Sequence, residues 1–104
     1  MIGSQQLARM REGAVLINTS RGAVVNEQDL LSGLHAGRPA FLGVDVLEHE
    51  PEIEKSLIWQ YAQAHDNVVV TPHIGGFSPD ALREVLRFTA SRAVQHFAQL
   101  EQRE

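Results

Sequence analysis

The chain has 104 residues, enough for one small domain, and its 43% hydrophobic and 21% charged residues are typical of a globular domain rather than a collagen-like, coiled-coil or disordered chain. A formal net charge of −4 without a basic run argues against nucleic acid as a partner, and the absence of cysteine excludes disulfides and thiol chemistry. No apolar run approaches the roughly 20 residues of a membrane helix, and the N-terminus lacks a signal-peptide pattern, so we expect a cytoplasmic protein without a membrane partner.

Three short apolar segments alternate with helical patterns along the chain. They are predicted strands at residues 14–18, 40–46 and 67–71. Nearly every position in each segment is apolar, which is typical of strands that helices cover on both faces. The order strand, helix, strand, helix, strand predicts an α/β fold with a parallel sheet, which is one βαβαβ half of a doubly wound domain.

Capping residues mark the helices of this pattern. Asn26 is expected to cap the helix between the first two strands, and Gly37 is expected to end it. We also predict a helix from Ser4 to Met10 before the first strand, and a short helix within residues 51–66 before the third. Every connection between parallel strands then contains a helix, as crossover connections usually do.

The final helix is the longest predicted element. Ser78 caps it, Pro79 fits its first position, and residues 79–104 continue it to the end of the sequence. Its apolar stripe consists of Leu82, Val85, Leu86, Ala90, Ala93, Val94, Phe97 and Leu100. Because an exposed apolar stripe tends to associate with another apolar surface, we expect a homo-oligomer or a domain-swapped assembly.

A polar turn follows the first predicted strand, at the end of the sheet where such folds bind ligands. It reads Thr19-Ser20-Arg21-Gly22, in which Gly22 is free to take a backbone angle that other residues avoid. Arg21 carries a planar guanidinium that matches a carboxylate with two parallel hydrogen bonds. The alternative is a surface arginine in an ordinary turn, since an isolated tripeptide of this kind fits many turns.

Acidic residues follow the second predicted strand. Asp45 interrupts an apolar run, so a buried carboxylate there must be hydrogen-bonded; it either binds a ligand amide or ribose or caps a neighbouring loop. In the next loop, Pro51 fixes the backbone beside Glu50. The alternative for Glu50, together with Glu52 and Glu54, is a solvated acidic loop.

One histidine follows the third predicted strand, in the segment Thr71-Pro72-His73-Ile74-Gly75-Gly76. The two glycines allow a ligand to approach the backbone, and an imidazole exchanges protons near neutral pH, so His73 is a candidate acid or base. The alternatives are an exposed loop histidine and a metal site formed with His49, Glu50 and His65. We expect no metal, because the adjacent His49 and Glu50 diverge on a regular element and no helical ligand spacing is present.

Three motifs together resemble the D-isomer-specific 2-hydroxyacid dehydrogenases in order and spacing. They are Val15-Leu16-Ile17-Asn18-Thr19-Ser20-Arg21-Gly22, Gly43-Val44-Asp45-Val46 with the following Glu50-Pro51, and Thr71-Pro72-His73-Ile74-Gly75-Gly76. The resemblance covers nearly the whole chain and implies a Rossmann-type parallel sheet with flanking helices, here the second βαβαβ half only, followed by the long C-terminal helix. Residues 1–104 are then the C-terminal portion of an NAD-binding domain.

The resemblance also implies a reaction and the residues that perform it. The reaction is hydride transfer between a nicotinamide cofactor and C2 of a small 2-hydroxy or 2-keto acid, with NAD as the expected cofactor and NADP as the alternative. The implied catalytic roles are proton transfer by His73, support of the imidazole by Glu50 and binding of the substrate carboxylate by Arg21. The implied cofactor contacts are Thr19, Ser20, Arg21, Asp45, His73, Ile74, Gly75 and Gly76.

Two departures from the family pattern bear on whether this chain is active by itself. No Gly-x-Gly-x-x-Gly follows a predicted strand, and the substrate domain that precedes this region in the family is missing. We therefore expect a fragment with negligible turnover by itself. The alternatives are a non-catalytic NAD-sensing or partner-binding protein of the same fold, and a truncated remnant with no independent role.

Overall fold

Four α-helices and three strands are the main elements of residues 1–101, which are the residues that this computed structural model describes. The helices are α1 (Ser4–Ala8), α2 (Glu27–His35), α3 (Leu57–Ala62) and α4 (Pro79–Glu101). The strands are β1 (Val15–Asn18), β2 (Phe41–Val44) and β3 (Val68–Val70). The chain forms two compact units, residues 1–73 and a second unit that begins at Ile74.

The three strands form a parallel sheet, as the sequence predicts, and their order in it is β1-β2-β3. Asn18 of β1 is aligned with Val44 of β2, which is aligned in turn with Val70 of β3. The carboxyl ends of all three strands therefore lie along one edge of the sheet. The turn after β1, the loop after β2 and the segment after β3 all begin at this edge.

One face of the sheet carries the hydrophobic core of the first unit. Leu42 and Val44 of β2 and Val68 of β3 are buried there. The helical side chains in the same core are Leu7 of α1, Leu30 and Leu34 of α2, and Ile58 of α3. Because full burial of such a side chain contributes about 1.5–3 kcal/mol, these contacts fix α1, α2 and α3 against this face.

The opposite face of the sheet is exposed, so the prediction that helices cover both faces is wrong for the described residues. Val15, Ile17, Phe41 and Val69 on this face are between 55% and 68% exposed. The reason lies in the strand order. Parallel strands added in one direction are joined by crossovers of one hand, which place their helices on the same face. Helices on the second face require strands added in the other direction, beyond β1, and residues 1–101 contain none.

Local signals place the helix ends close to where the sequence predicts them. The Oδ1 atom of Asn26 accepts a first-turn N–H of α2 at 2.9 Å, and Gly37 follows the end of that helix with a φ of 73°. The hydroxyl of Ser78 accepts a first-turn N–H of α4 at 3.0 Å, and Pro79 is the first residue of α4. The first helix, α1, ends two residues before Met10, where the sequence predicted its end.

Helix α4 presents apolar side chains to solvent, as the predicted stripe indicates. The large exposed hydrophobic residues on it are Leu82, Val85, Leu86, Phe88, Val94, Phe97 and Leu100. The predicted helix 79–104 agrees with α4 through residue 101, and residues 102–104 lie outside the described part of the chain. Among the described residues, none of the helices combines the length and the apolar character needed to cross a lipid bilayer.

Candidate active site

The edge formed by the carboxyl ends of the strands brings His73 and Glu50 into contact. Nδ1 of His73 lies 2.5 Å from Oε2 of Glu50, although the two residues are 23 positions apart. The other carboxylate oxygen of Glu50 accepts the backbone N–H of Leu47 at 2.8 Å. The hydrogen bond with His73, followed by the one from Leu47, lowers the pKa of Glu50 from its ordinary value of 4.5, against smaller opposing effects of burial and of Asp45. Glu50 is therefore a stable carboxylate that fixes one nitrogen of the imidazole.

The backbone of His73 has an uncommon conformation. Its φ is 55°, and among the described non-glycine residues no other has a positive φ. For a residue with a Cβ this left-handed conformation costs on the order of 1 kcal/mol. Residues held in this way are concentrated at functional sites, where their surroundings compensate for the strain. The contact with Glu50 is one such compensation.

Asn18 organises the turn that contains Arg21. Its buried side chain accepts both the N–H and the hydroxyl of Ser20, at 3.1 and 2.9 Å, and donates to the carbonyl of Arg21 at 2.9 Å. The guanidinium of Arg21 is exposed and donates to the carbonyl of Ser20 at 2.6 Å. Sequence reasoning gave Asn18 no role, although a polar residue at the last position of an apolar strand is a usable signal.

Gly22 packs directly against the Glu50 loop, which we define as residues 45–56. A Cβ at Gly22 would lie 2.3–2.4 Å from backbone atoms of Leu47 and Glu48. Gly22 is not among the described glycines with a positive φ, so the interpretation that it supplies an unusual backbone angle is wrong. The site requires the missing side chain instead, because no Cβ fits in this space. The Arg21 turn and the Glu50 loop are consequently in direct contact.

Asp45 is 6% exposed, and its Oδ1 atom accepts the hydroxyl of Thr71 at 2.5 Å. The expectation that Asp45 is buried and hydrogen-bonded is thus met, and the bond joins the ends of β2 and β3. A groove of about 190 Å³ lies beside it at the exposed face of the sheet. This groove is lined by Ile17, Thr19, Gly43, Val44, Asp45, Val69 and Thr71.

A larger cavity of about 420 Å³ adjoins the His73–Glu50 pair. Its lining residues are Leu47, Glu50, Pro51, Ile53, Trp59, Val70, Thr71, Pro72 and His73. Most of these side chains are apolar, and Glu50 and His73 are the titratable groups among them. An apolar cavity with a few polar groups is the usual form of a site for a small organic ligand.

Of the four residues weighed as a metal site, Glu50 and His73 are the two in contact. His49 lies instead near α2, with its Nε2 atom 3.8 Å from the carboxylate of Glu27. His65 stacks on the ring of a tyrosine in α3, with ring centroids 3.7 Å apart. The expected cofactor contacts of residues 74–76 stay predictions, since those residues begin the second unit.

Comparison with known families gives a match over most of the chain. The profile of the family described as "D-isomer specific 2-hydroxyacid dehydrogenase, NAD binding domain" matches residues 1–75. The chain is 36% identical over 88 residues to a hydroxypyruvate reductase of Thermotoga maritima, covering 82% of this chain and 27% of that protein. It is 38% identical over 94 residues to a glyoxylate reductase of Thermococcus litoralis, covering 90% of this chain and 27% of that protein.

Solved structures give the same result. The NAD-complexed D-isomer specific 2-hydroxyacid dehydrogenase of Lactobacillus delbrueckii ssp. bulgaricus superposes with a TM-score of 0.69 at 27% identity, covering 95% of this chain and 33% of that chain. The D-lactate dehydrogenase with NAD+ from Lactobacillus jensenii gives a TM-score of 0.68 at 30% identity, covering 86% of this chain and 30% of that chain. The chain thus spans about a quarter to a third of the length of these relatives.

Proposed function

Since the chain belongs to the family of D-isomer specific 2-hydroxyacid dehydrogenases, within its NAD binding domain, we propose that it supplies the proton-transfer and substrate-binding residues of an NAD-dependent D-2-hydroxyacid dehydrogenase. The observation that carries this proposal is the contact between His73 and Glu50 at the carboxyl edge of the parallel sheet. Its substrate is a small 2-keto acid in the direction of reduction, or a 2-hydroxy acid in the direction of oxidation.

His73 is the proposed acid and base. During reduction it donates a proton to the carbonyl oxygen of the 2-keto acid, and during oxidation it accepts the hydroxyl proton. The Glu50 carboxylate on Nδ1 orients the ring and leaves Nε2 as the nitrogen that exchanges the proton. Because the pKa of Glu50 is lowered, its negative charge persists in this role.

Arg21 is the proposed ligand of the substrate carboxylate. A guanidinium has five N–H donors in a rigid plane, and one of those of Arg21 is bonded to the carbonyl of Ser20. The exposed side chain therefore keeps donors for two parallel bonds to a carboxylate, and the same charge polarises the neighbouring carbonyl. The contact between Gly22 and Leu47 supports this assignment, because it holds the Arg21 turn against the Glu50 loop.

The residues at the exposed sheet face fit the nicotinamide end of NAD. Gly43 leaves the groove open, since a Cβ there would meet nothing nearer than the Ile17 side chain at 3.6 Å. Thr19 and Asp45 offer a hydroxyl and a carboxylate to a carboxamide in this groove. Ser20 and residues 74–76 are further proposed contacts of the cofactor. When bound, NAD donates or accepts the hydride at C2 of the substrate. The alternative cofactor is NADP, because this sequence has no glycine-rich turn and acidic residue to bind the adenosine half.

We assign this chain to the C-terminal portion of an NAD-binding domain, with the helix that begins at Pro79 as its terminal helix, and expect negligible turnover from this portion alone. The exposed apolar residues of α4 support self-association of the chain. A non-catalytic NAD-sensing or partner-binding protein is the second candidate, and the exposed sheet face favours it because that face is available to a partner. The left-handed backbone of His73 and its bond to Glu50 favour the enzyme.

An NMR titration of the isotopically labelled chain tests this assignment. The probes are nicotinamide mononucleotide, adenosine monophosphate and oxamate, which has the carboxylate and adjacent carbonyl of a 2-keto acid. We expect the nicotinamide probe to shift the signals of Thr19, Asp45 and Thr71, and the adenosine probe to leave them unchanged. Oxamate is expected to shift the signals of Arg21 and His73.

Arg21→Gln is the matched variant for this titration. It is expected to abolish the response to oxamate and to leave the response to nicotinamide mononucleotide unchanged, because the loss removes the carboxylate ligand alone. Equal responses to the adenosine and nicotinamide probes, or an oxamate response that Arg21→Gln does not reduce, would contradict the proposed function.

A further inference from the structure

Glu27 is a buried carboxylate that the proposed chemistry does not use. It is the first residue of α2 and is 7% exposed. One of its oxygens accepts the hydroxyl of the fully buried Ser56, and the other accepts the backbone N–H of Leu57 at 3.0 Å. A carboxylate removed from water is stable only when its oxygens are hydrogen-bonded, so these two donors account for its position.

The donors to Glu27 lie at the far end of the Glu50 loop. Ser56 is the last residue of that loop and caps α3, since its hydroxyl also accepts the N–H of Trp59 at 3.1 Å. The near end of the loop is fixed to β1, because Asp45 donates its N–H to the carbonyl of Asn18 at 3.0 Å. Glu27 therefore closes the one end of the loop that the sheet does not hold.

Glu27 also approaches the residues immediately before Glu50. An oxygen of Glu27 lies 3.8 Å from Nε2 of His49, and side-chain atoms of Glu27, Glu48 and His49 lie within 4.8 Å of one another. Within the loop, the N–H of Leu47 then bonds the Glu50 carboxylate at 2.8 Å. The side chain of Glu27 is thus next to the backbone segment that sets the place of Glu50.

We propose that Glu27 is a positioning residue for the His73–Glu50 pair: by holding the far end of the Glu50 loop, it fixes where the Glu50 carboxylate meets His73. This inference deepens the proposed function and rests on it. Glu27 lies at the start of α2, and Arg21, Glu50 and His73 lie outside that helix. In this proposal it acts on the His73–Glu50 pair through the loop and does not touch the substrate. The competing explanation is that Glu27 stabilises the start of α3 and has no effect on Glu50.

The pKa of the Glu50 carboxyl group distinguishes these explanations. The groups that face this carboxyl are His73 and the N–H of Leu47, which lower its pKa, and Asp45, which raises it. A loop released at Ser56 lets the carboxylate move away from His73, the donor outside the loop, so its pKa rises toward 4.5 in a protein that is still folded. Loss of helix stability alone does not change this pKa.

The experiment is an NMR titration of the Glu50 carboxyl carbon in the full 104-residue chain. His73→Ala is the reference, because it removes the hydrogen-bond donor that is the largest cause of the lowered pKa. Glu27→Gln keeps the size of the side chain but replaces one acceptor oxygen with an NH2 group, which cannot accept a hydrogen bond. Ser56→Ala removes the hydroxyl that donates to Glu27. It replaces Glu27→Gln as the test of the inference if the Glu27→Gln chain does not fold.

Asp29→Asn is the matched control. Asp29 stands in the same first turn of α2, and its carboxylate accepts the N–H of Ser4 in the segment before β1, away from the Glu50 loop. The control therefore makes the same change of carboxylate to amide without touching the loop.

We expect His73→Ala to raise the Glu50 pKa and Glu27→Gln to raise it by at least half as much. Ser56→Ala is expected to raise it too, and Asp29→Asn to leave it unchanged. Suppose that His73→Ala raises this pKa but the folded Glu27→Gln chain, or Ser56→Ala in its place, does not. The inference is then overturned and the proposed function stands. If His73→Ala also leaves the pKa unchanged, Glu50 and His73 are not coupled, and the inference and the proposed function both fail.

Discussion

Two hydrogen-bond donors lower the pKa of Glu50. His73, which follows β3, and Leu47, in its own loop, both bond its carboxylate. The sequence made Glu50 and His73 candidates because each follows a predicted strand, with a solvated acidic loop as the alternative for Glu50. The contact between them decides in favour of a paired carboxylate. No spacing in the sequence reveals the bond from Leu47, because it depends on the path of the loop.

The lowered pKa of Glu50 predicts a pH-dependent contribution to stability. In the unfolded chain the carboxyl titrates near its ordinary value of 4.5, and in the folded chain it titrates lower. The folded state therefore binds fewer protons, so the contribution is fully present above about pH 5 and is lost as the pH falls through the folded pKa. Glu50→Gln is expected to reduce the free energy of unfolding at about pH 6 and to have progressively less effect toward about pH 3.

Urea denaturation at a series of pH values measures this effect. Glu54→Gln, which changes an exposed carboxyl group in the same loop, gives the effect of removing one negative charge there. A Glu50→Gln variant whose loss of stability is the same at every pH would contradict the pairing of Glu50 with His73.

Hydrogen-bonded pairs of polar side chains that are distant in the sequence could not be predicted from it. Glu27 meets Ser56 across 29 positions, and Asp45 meets Thr71 across 26. The sequence predicted that a buried Asp45 must be bonded, but it did not identify the partner. Helix caps such as Asn26 could be predicted, because the capping side chain and the backbone N–H that it accepts are only three residues apart. A long-range pair depends on how whole elements pack, which no local pattern contains.

Strand β3 shows how far the pattern of apolar residues predicts the fold. Val68 is 9% exposed and Val69 is 64% exposed, although both were predicted to lie in a strand covered on both faces. The run of apolar residues identified the strand and its parallel partners correctly. The run of apolar residues indicates that both faces of the strand are suited to burial. It does not show which part of a protein covers each face. In this structure α1, α2 and α3 all pack on one face.

The two neighbouring valines of β3 give a matched pair of substitutions. Val68→Thr places a hydroxyl in the core, so we expect it to lower the free energy of unfolding by about 1–3 kcal/mol. Val69→Thr puts the same group on the exposed face, and the expected change is within about 0.5 kcal/mol. Urea unfolding of the two variants beside the parent chain measures both. Equal losses would mean that the second face of the sheet is covered in solution.

At the scale of the whole molecule, each of the two units exposes an apolar surface. The first has an exposed apolar sheet face, and the second has an exposed apolar stripe on α4. Surfaces of this kind usually contact other protein surfaces, so self-association stays a prediction. The family and the Rossmann-type fold could be predicted because three separate motifs mark the ends of three strands. The exposure of one sheet face could not be predicted, because the pattern of apolar residues does not show which surfaces cover a strand.

The central claim is that Arg21, Glu50 and His73 perform the chemistry of a 2-hydroxyacid dehydrogenase, and turnover in a complete enzyme tests it most directly. A chimaera in which residues 1–75 replace the matching segment of the Thermotoga maritima hydroxypyruvate reductase supplies the remaining parts. We predict that it reduces hydroxypyruvate with NADH or NADPH, that His73→Gln lowers kcat about 10²–10⁴-fold, and that the control Asp29→Asn leaves kcat unchanged. A folded chimaera whose turnover His73→Gln does not reduce would contradict the account.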